Sequence, residues 1–307
     1  MKAAWVVTSA VIALWMLGES AFGRQPSSSA AAKPVEVLQG EIVELKISGK
    51  GLSAVGGLMG GEAIHFYASE DGTYAALVGV DLEAKPGLAR VIVKGMTYGG
   101  MQRETQIILN IKAKAFQKES FSIPAEFDQL SPEVLERVRR EQEQFSRAFT
   151  ASGPRRLWAG PFLPPVSGDI TSPFGYRRVI NGTPRMPHAG VDLKSTLGTE
   201  VLAANQGRVV LVEDFFFSGK SLVLDHGGGL YTMYFHLSEF KVDEGVKVRK
   251  GDVIGLSGMT GRVTGPHLHW GARLNGARVD PFELIEKLGS KSGKAPRAEA
   301  AGENAER

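Results

Sequence analysis

Glycine limits what the second half of this chain can fold into. The apolar runs VLAANQGRVVLVE, SLVLDHGG, LYTMYFHL and DVIGLSG are short, and glycines divide them at 198, 207, 219, 227 to 229, 245, 251, 255 and 258. A helix needs an apolar stripe at a 3.6-residue period and is weakened by interior glycine, whereas short β-branched and aromatic runs ended by glycine turns suit strands. The stretch from about Pro161 to Leu288 is therefore expected to be a β domain with tight turns. Val35 to Ala115 reads similarly, with VEVLQGEIVELKISG, EAIHFYAS, YAALVGVDL, ARVIVKGMTYGG and TQIILNIKAKAF separated by a turn at Asp71 and Gly72 and a break from Lys85 to Gly87. Period-2 patterning in such short strands predicts a small antiparallel, immunoglobulin-like sandwich, and no chemical motif falls in it.

One helix is expected between the two β regions. Ser131 can cap its start, Pro132 suits its first position, and Val134, Val138, Phe145 and Phe149 give it an apolar face. Its length suits a linker helix resting on one domain rather than a coiled-coil dimer. A chain of 307 residues is longer than one hydrophobic core usually serves, and 43% apolar content can pack two.

The first residues give Lys2, an apolar run from Ala3 to Leu17 and small residues at Ala21 and Gly23, the layout of a secretory signal. The run is short for a membrane span, so association with a membrane is expected only if the signal stays uncleaved. The chain has no cysteine, which excludes disulfides, thiolate ligands, a Cys nucleophile and a lipid anchor on Cys. The resulting organisation is a signal over 1–23, an unstructured linker over 24–34, the sandwich over 35–118, a helical linker over 119–160, the second β domain over 161–288 and an unstructured tail over 289–307. The expected location is outside the cytoplasm, in the periplasm or cell envelope or secreted, and the expected state is a monomer.

Five of the six histidines lie between His188 and His269, and His226, His236 and His267 are the other three of that group. His65, alone in AIHFYAS, reads as structural. In MPHAGVD the prolines at 184 and 187 disfavour a helix, so an extended segment would turn His188 and Asp192 to one side across Gly190. In PHLHW, two-residue spacing places His267 and His269 on one face of a strand and turns Leu268 and Trp270 to the core. Two imidazoles and a carboxylate make a zinc set that leaves a fourth position open, and an open zinc site suits amide hydrolysis. No HEXXH is present, so the helix-borne glutamate base of that motif is not available.

Taken in order, SPFGYRRVINGTPRMPHAGVDL, GTEVLAANQGRVV, LDHGGGLYTMYFHL, VKVRKGDVIGLSGMTG and TGPHLHW resemble the lysostaphin-type zinc metallopeptidase family across the second domain. The resemblance implies an antiparallel β peptidase domain in which His188, Asp192 and His269 bind zinc. It also implies that His236 and His267 activate water and stabilise the oxyanion. The substrate it implies is peptide in bacterial peptidoglycan, cut at a stem or cross-bridge. Two positions depart from the family pattern: Gly271 follows Trp270 where an acidic residue is common, and Phe235 replaces a smaller residue before His236. Both departures bear on substrate contacts rather than on metal or catalytic positions. His226 has no counterpart role and reads as structural or pocket-lining. The sandwich resembles, less closely, the module that precedes the peptidase domain in some exported members, where it would position or occlude.

The alternative is a non-catalytic wall-binding or hydrolase-activating protein on the same fold, but such members lack zinc ligands and all five polar positions are filled here. Nucleic acid is not an expected partner, since Arg177, Arg178 and Arg185 lack an aromatic or helical recognition pattern.

Overall fold

Period-2 runs become strands throughout the computed structural model, which describes residues 33–69, 71–123, 130–150 and 152–288. The expected signal over 1–23, the expected linker up to residue 32 and the expected tail over 289–307 lie outside the described residues. Among the described residues no helix is long and apolar enough to cross a membrane.

The first region holds β1 (Val35–Leu38), β2 (Ile42–Ser48), β3 (Leu52–Met59), β4 (Glu62–His65), β5 (Tyr67–Ala68), β6 (Thr73–Gly79), β7 (Gly87–Thr97) and β8 (Gln102–Lys112). They form two sheets, ordered β1-β8-β7-β3-β4 and β2-β6-β5. Val37, Ile64, Val91, Val93 and Leu109 of the first sheet meet Leu45, Ala76 and Val78 of the second in one apolar core, so the sheets stack as a sandwich. One pairing is not antiparallel. β1 runs parallel to β8, from Val35↔Leu109 to Leu38↔Lys112, which is possible because these strands are remote in sequence and no hairpin dictates their direction.

The connection to the second region contains a strand that the sequence did not reveal. β9 (Lys118–Phe121) pairs in parallel with β11 (Arg177–Ile180), placing Glu119 opposite Arg178. Four mostly polar residues carry no hydrophobic period, and the strand is held by its neighbours: Arg177 N–H donates to Gln117 O at 2.8 Å and Tyr176 Oη to Gln117 Oε1 at 2.7 Å. Helix α1 (Pro132–Ala148) follows, with Ser131 Oγ accepting from Val134 N–H at 3.4 Å. Its apolar face rests on the second region, with Phe145 at 4.7 Å from Phe215 and 5.6 Å from Phe235, and Phe149 at 5.3 Å from Tyr231, ring centre to ring centre. Glu141 is buried there and accepts from Phe216 N–H at 3.0 Å.

The second region comprises β10 (Ile170–Ser172), β11, β12 (Thr183–Pro184), β13 (Gly190–Lys194), β14 (Glu200–Leu202), β15 (Gly207–Phe215), β16 (Gly219–Asp225), β17 (Leu230–Phe240), β18 (Lys247–Val248), β19 (Val253–Ser257), β20 (His267–Leu274) and β21 (Ala277–Val279). Its main antiparallel sheet runs β10-β13-β20-β17-β16-β15-β18, with β14, β19 and β21 attached beside it. A closing helix, α2 (Pro281–Leu288), was not foreseen because eight residues give only two turns of pattern. Its start is nonetheless written in Asp280-Pro281, since Asp280 Oδ1 accepts from Phe282 N–H at 3.0 Å.

The two regions share a hydrophobic core. Ile42, Leu77 and Leu82 of the first pack in the same cluster as Trp158, Val191, Trp270 and Leu284 of the second. Arg278 grips Asp81 through Nη2 to Oδ1 at 2.6 Å and Nε to Oδ2 at 3.0 Å, and Asp280 N–H donates to Gly40 O at 2.8 Å.

Candidate active site

Three adjacent strands bring the histidines together. β13 pairs with β20 so that Asp192 faces His269, and β17 pairs with β20 so that Phe235 faces His269. Because side chains alternate along a strand, His267 and His269 reach the same side of β20 while Leu268 and Trp270 are fully buried behind it. His188 precedes β13, anchored by its own N–H to Tyr176 O at 2.9 Å.

His188 Nε2, Asp192 Oδ1 and His269 Nδ1 converge. His188 Nε2 lies 3.0 Å from Asp192 Oδ1 and 3.0 Å from His269 Nδ1, and the last two atoms are 2.8 Å apart. A tetrahedral zinc with arms of about 2.0–2.1 Å would separate its ligand atoms by about 3.3 Å, so the three need open by only a few tenths of an ångström. Nδ1 of His188 donates to Pro173 O at 3.0 Å, which fixes the tautomer and leaves Nε2 with a lone pair. The donor set, nitrogen, nitrogen and carboxylate oxygen, is of the borderline kind that zinc accepts.

Packing fixes the His269 ring on a face and an edge. Phe235 lies parallel to it, at 4° and 5.3 Å, and Gly190 lies against its edge, where a Cβ would come within 2.6 Å of Nε2. Phe235 therefore braces a ring of the candidate metal set rather than serving only substrate contacts as its sequence departure suggested. A Cβ at Gly271 would meet only the flexible end of Met233, Cε at 2.9 Å, which can shift.

His236 and His267 stand beside this cluster, their rings 4.9 Å apart and His236 6.1 Å from the His269 ring. Each donates through Nδ1 to a backbone carbonyl, His236 to Thr260 O and His267 to Gly265 O, both at 2.9 Å. A carbonyl can only accept, so each Nδ1 carries a proton and the lone pair of the neutral ring falls on Nε2; that of His267 is 3.8 Å from Asp192 Oδ1. His236 adopts φ = 63°, a left-handed conformation that re-aims its side chain where β17 departs from regular pairing with β16, between Tyr234 and Leu237.

Burial governs the protonation states. Burial raises the Asp192 carboxyl, but the imidazoles of His188 and His269, close enough to donate to it whenever they are protonated, hold it well below the usual carboxylate range. Burial pushes His269 down to about 4 against the pull of Asp192, and burial with His269 and His267 alongside pushes His236 down to about 3. Neutral imidazoles and an ionised carboxylate at neutral pH are the forms that bind a divalent metal.

All five residues line one cleft of about 700 Å³, which Glu119, Arg178, Met186, Phe217, Arg262 and Thr264 also border. His226 is elsewhere, fully buried between Gln206 O at 2.8 Å and Thr232 Oγ1 at 2.7 Å. His65 sits on β4 of the sandwich. Sequence reasoning missed Arg178, whose Nη2 donates to Asp192 Oδ2 at 3.1 Å. The only available signal was its place in the SPFGYRR motif, where alternation does not identify a partner.

Comparison with known proteins places the chain among peptidases. Residues 186–281 match the model of peptidase family M23. The chain is 39% identical over 131 residues to the peptidoglycan DD-endopeptidase ShyA of Vibrio cholerae, covering 42% of this chain and 30% of that protein. It is 43% identical over 122 residues to the DD-carboxypeptidase/endopeptidase Mpg of Neisseria meningitidis, covering 39% of this chain and 28% of that one. The chain thus spans under a third of the length of these curated relatives. A solved structure from Pseudomonas aeruginosa, assigned to peptidase M23, superposes with a TM-score of 0.65 at 31% identity, over 83% of this chain and 96% of that one. Matched across nearly the whole of that relative, with its histidines and aspartate gathered in one cleft, the chain belongs to the M23 family of metallopeptidases.

Proposed function

We propose that this protein is a zinc-dependent endopeptidase that hydrolyses peptide bonds in bacterial peptidoglycan. The observation that carries the reading is the meeting of His188, Asp192 and His269 beside two further imidazoles, His236 and His267, on the wall of one cleft. His188, Asp192 and His269 would hold zinc through Nε2, Oδ1 and Nδ1. Bound there, zinc supplies a Lewis acid that polarises the scissile carbonyl and makes water a better nucleophile near neutral pH.

The chain's own groups divide the proton work. His267 Nε2 accepts the proton of the attacking water as the water oxygen bonds to the carbonyl carbon, then returns it to the leaving nitrogen as the C–N bond breaks. His236, whose pKa burial pushes down to about 3, is a weak base and acts as an acceptor that orients the water beside it. Phe235 and Gly190 keep the His269 ring from rotating away from the site.

The matched relatives named peptidoglycan DD-endopeptidases make the DD cross-link the first bond to test. Their action on cell wall is consistent with an envelope location, and export through the residues at 1–23 with a monomeric mature protein completes the proposal. Purified protein is expected to release peptides from cross-linked murein, to stop doing so after a chelator removes metal, and to recover when zinc is restored. Hydrolysis that continues in metal-free protein, or none with zinc bound, would contradict it.

A further inference from the structure

We propose that Glu119 and Arg178 form a positioning pair for the metal site, in which Glu119 on β9 steadies the Arg178 guanidinium that holds the carboxylate of Asp192. The inference rests on the assignment of Asp192 as a zinc ligand under the proposed function. Neither residue lies in the 186–281 segment that matches the family model, and Glu119 belongs to the connection between the two β regions.

The geometry divides the Asp192 carboxylate between two tasks. Oδ1 faces His188 Nε2 and His269 Nδ1 at 3.0 and 2.8 Å, while Oδ2 accepts from Arg178 Nη2 at 3.1 Å. Held by its second oxygen, the carboxylate cannot rotate to offer both oxygens to an ion, and the side chain is locked in the orientation that meets the two imidazoles. A guanidinium so close to a divalent cation also repels it. Glu119 meets that charge: β9 and β11 place the two residues opposite each other, with Glu119 Oε2 3.5 Å from Arg178 Nε. That Nε is buried and has no hydrogen-bond acceptor, so the Glu119 carboxylate is its counter-charge.

Glu119 also reaches the site by a second route. Its Oε2 accepts from Ser172 Oγ at 3.4 Å, and that hydroxyl lies 3.2 Å from His188 Nδ1, the nitrogen on the far side of the ring from the ligand atom. One carboxylate from outside the peptidase sheet thus touches the surroundings of two of the three metal-binding side chains. By contrast the neighbouring Arg177 points elsewhere, to Glu83 at 3.4 Å and over the Phe116 ring at 5.3 Å.

The test measures zinc dissociation constants by chelator competition, with the melting temperature of each metal-free protein, for the full chain and for Glu119→Gln, Arg178→Gln, the double variant, Arg178→Lys and Arg177→Gln. Loss of an outer partner of a metal ligand weakens binding about 10- to 100-fold, and that is expected of Glu119→Gln and Arg178→Gln. If Glu119 works through Arg178, the double variant binds no more than about threefold worse than the weaker single one. Arg178→Lys, which can still donate to Asp192 Oδ2, should bind zinc more tightly than Arg178→Gln, Arg177→Gln should match the unmodified protein, and metal-free melting temperatures should fall only slightly, since Arg178 and Glu119 both remain partly exposed. Wild-type affinity in either Gln variant, additive losses in the double, or losses that track falling metal-free melting temperatures would overturn the pair. An unmodified protein that takes up no zinc would overturn the metal-site reading, and the pair with it.

Discussion

Gly190→Ala should damage the metal site although it adds a single methyl group. Gly190 lies on β13, two residues before Asp192 and opposite Gly271. A Cβ there would stand 2.6 Å from His269 Nε2 and 2.6 Å from Trp270 O, whereas ordinary contact begins at 3.4 Å. Neither neighbour can retreat freely: the carbonyl belongs to β20, and Phe235 lies flat on the other side of the imidazole at 5.3 Å. Overpacking of this kind costs about 1–3 kcal/mol. If the ring yields, the strain falls on ligand geometry, and at about 1.4 kcal/mol per decade zinc binding weakens roughly 5- to 150-fold. If the sheet yields instead, the metal-free protein loses the same energy of folding. Chelator competition and urea denaturation of the metal-free protein together capture both routes. Wild-type zinc affinity combined with wild-type stability would refute the reasoning, since the methyl group would then have found room that the packing denies it.

Two further outcomes follow from buried charge. His226 has its proton affinity pushed down to about 4 by burial, against about 6.5 in an unfolded chain. Between those values the unfolded state takes up a proton that the folded state refuses, so stability is complete above about pH 6.5 and falls as pH drops toward 4, by about 3 kcal/mol from this residue. The urea midpoint of His226→Gln should therefore change less between pH 7 and 4.5 than that of the unmodified protein, and equal slopes would exclude His226 as a source of acid sensitivity. Arg278→Ala breaks the two-point grip on Asp81 and leaves a half-buried carboxylate without its partner, which should lower stability by about 2 kcal/mol in the same assay. An unchanged midpoint would mean that this contact does not help to hold the two regions together.

Much of the architecture was legible because its signals are local. Period-2 runs and glycine turns marked both β regions, Ser131-Pro132 marked the start of α1, and two-residue spacing placed His267 and His269 on one side of a strand. What could not be read depends on partners distant in sequence. β9 is held by its pairing to β11, the parallel direction of β1 follows from β8, and Phe235 reveals its role only when β17 and β20 pair. Positive φ at His236 was hidden for another reason: histidine carries no glycine-like mark, and the conformation is imposed by Ser218 O and Thr260 O on its own backbone and ring. The shared core of Ile42, Leu77 and Leu82 with the peptidase sheet belongs to the same class, since apolar pattern identifies buried faces but not what covers them.

The central claim is that His188, Asp192 and His269 hold zinc while His236 and His267 handle protons. It is tested most directly by measuring zinc content by mass spectrometry and turnover of a cross-linked murein peptide on the same preparations of His269→Ala, His236→Ala and His267→Ala. His269→Ala should lose zinc and activity together, because it removes one of the three proposed protein ligands. His236→Ala and His267→Ala should keep zinc and lose about 10²- to 10⁴-fold in kcat, with His267→Ala the more severe. A metal-depleted His236→Ala or His267→Ala, or a His269→Ala that retains both zinc and turnover, would contradict the assignment.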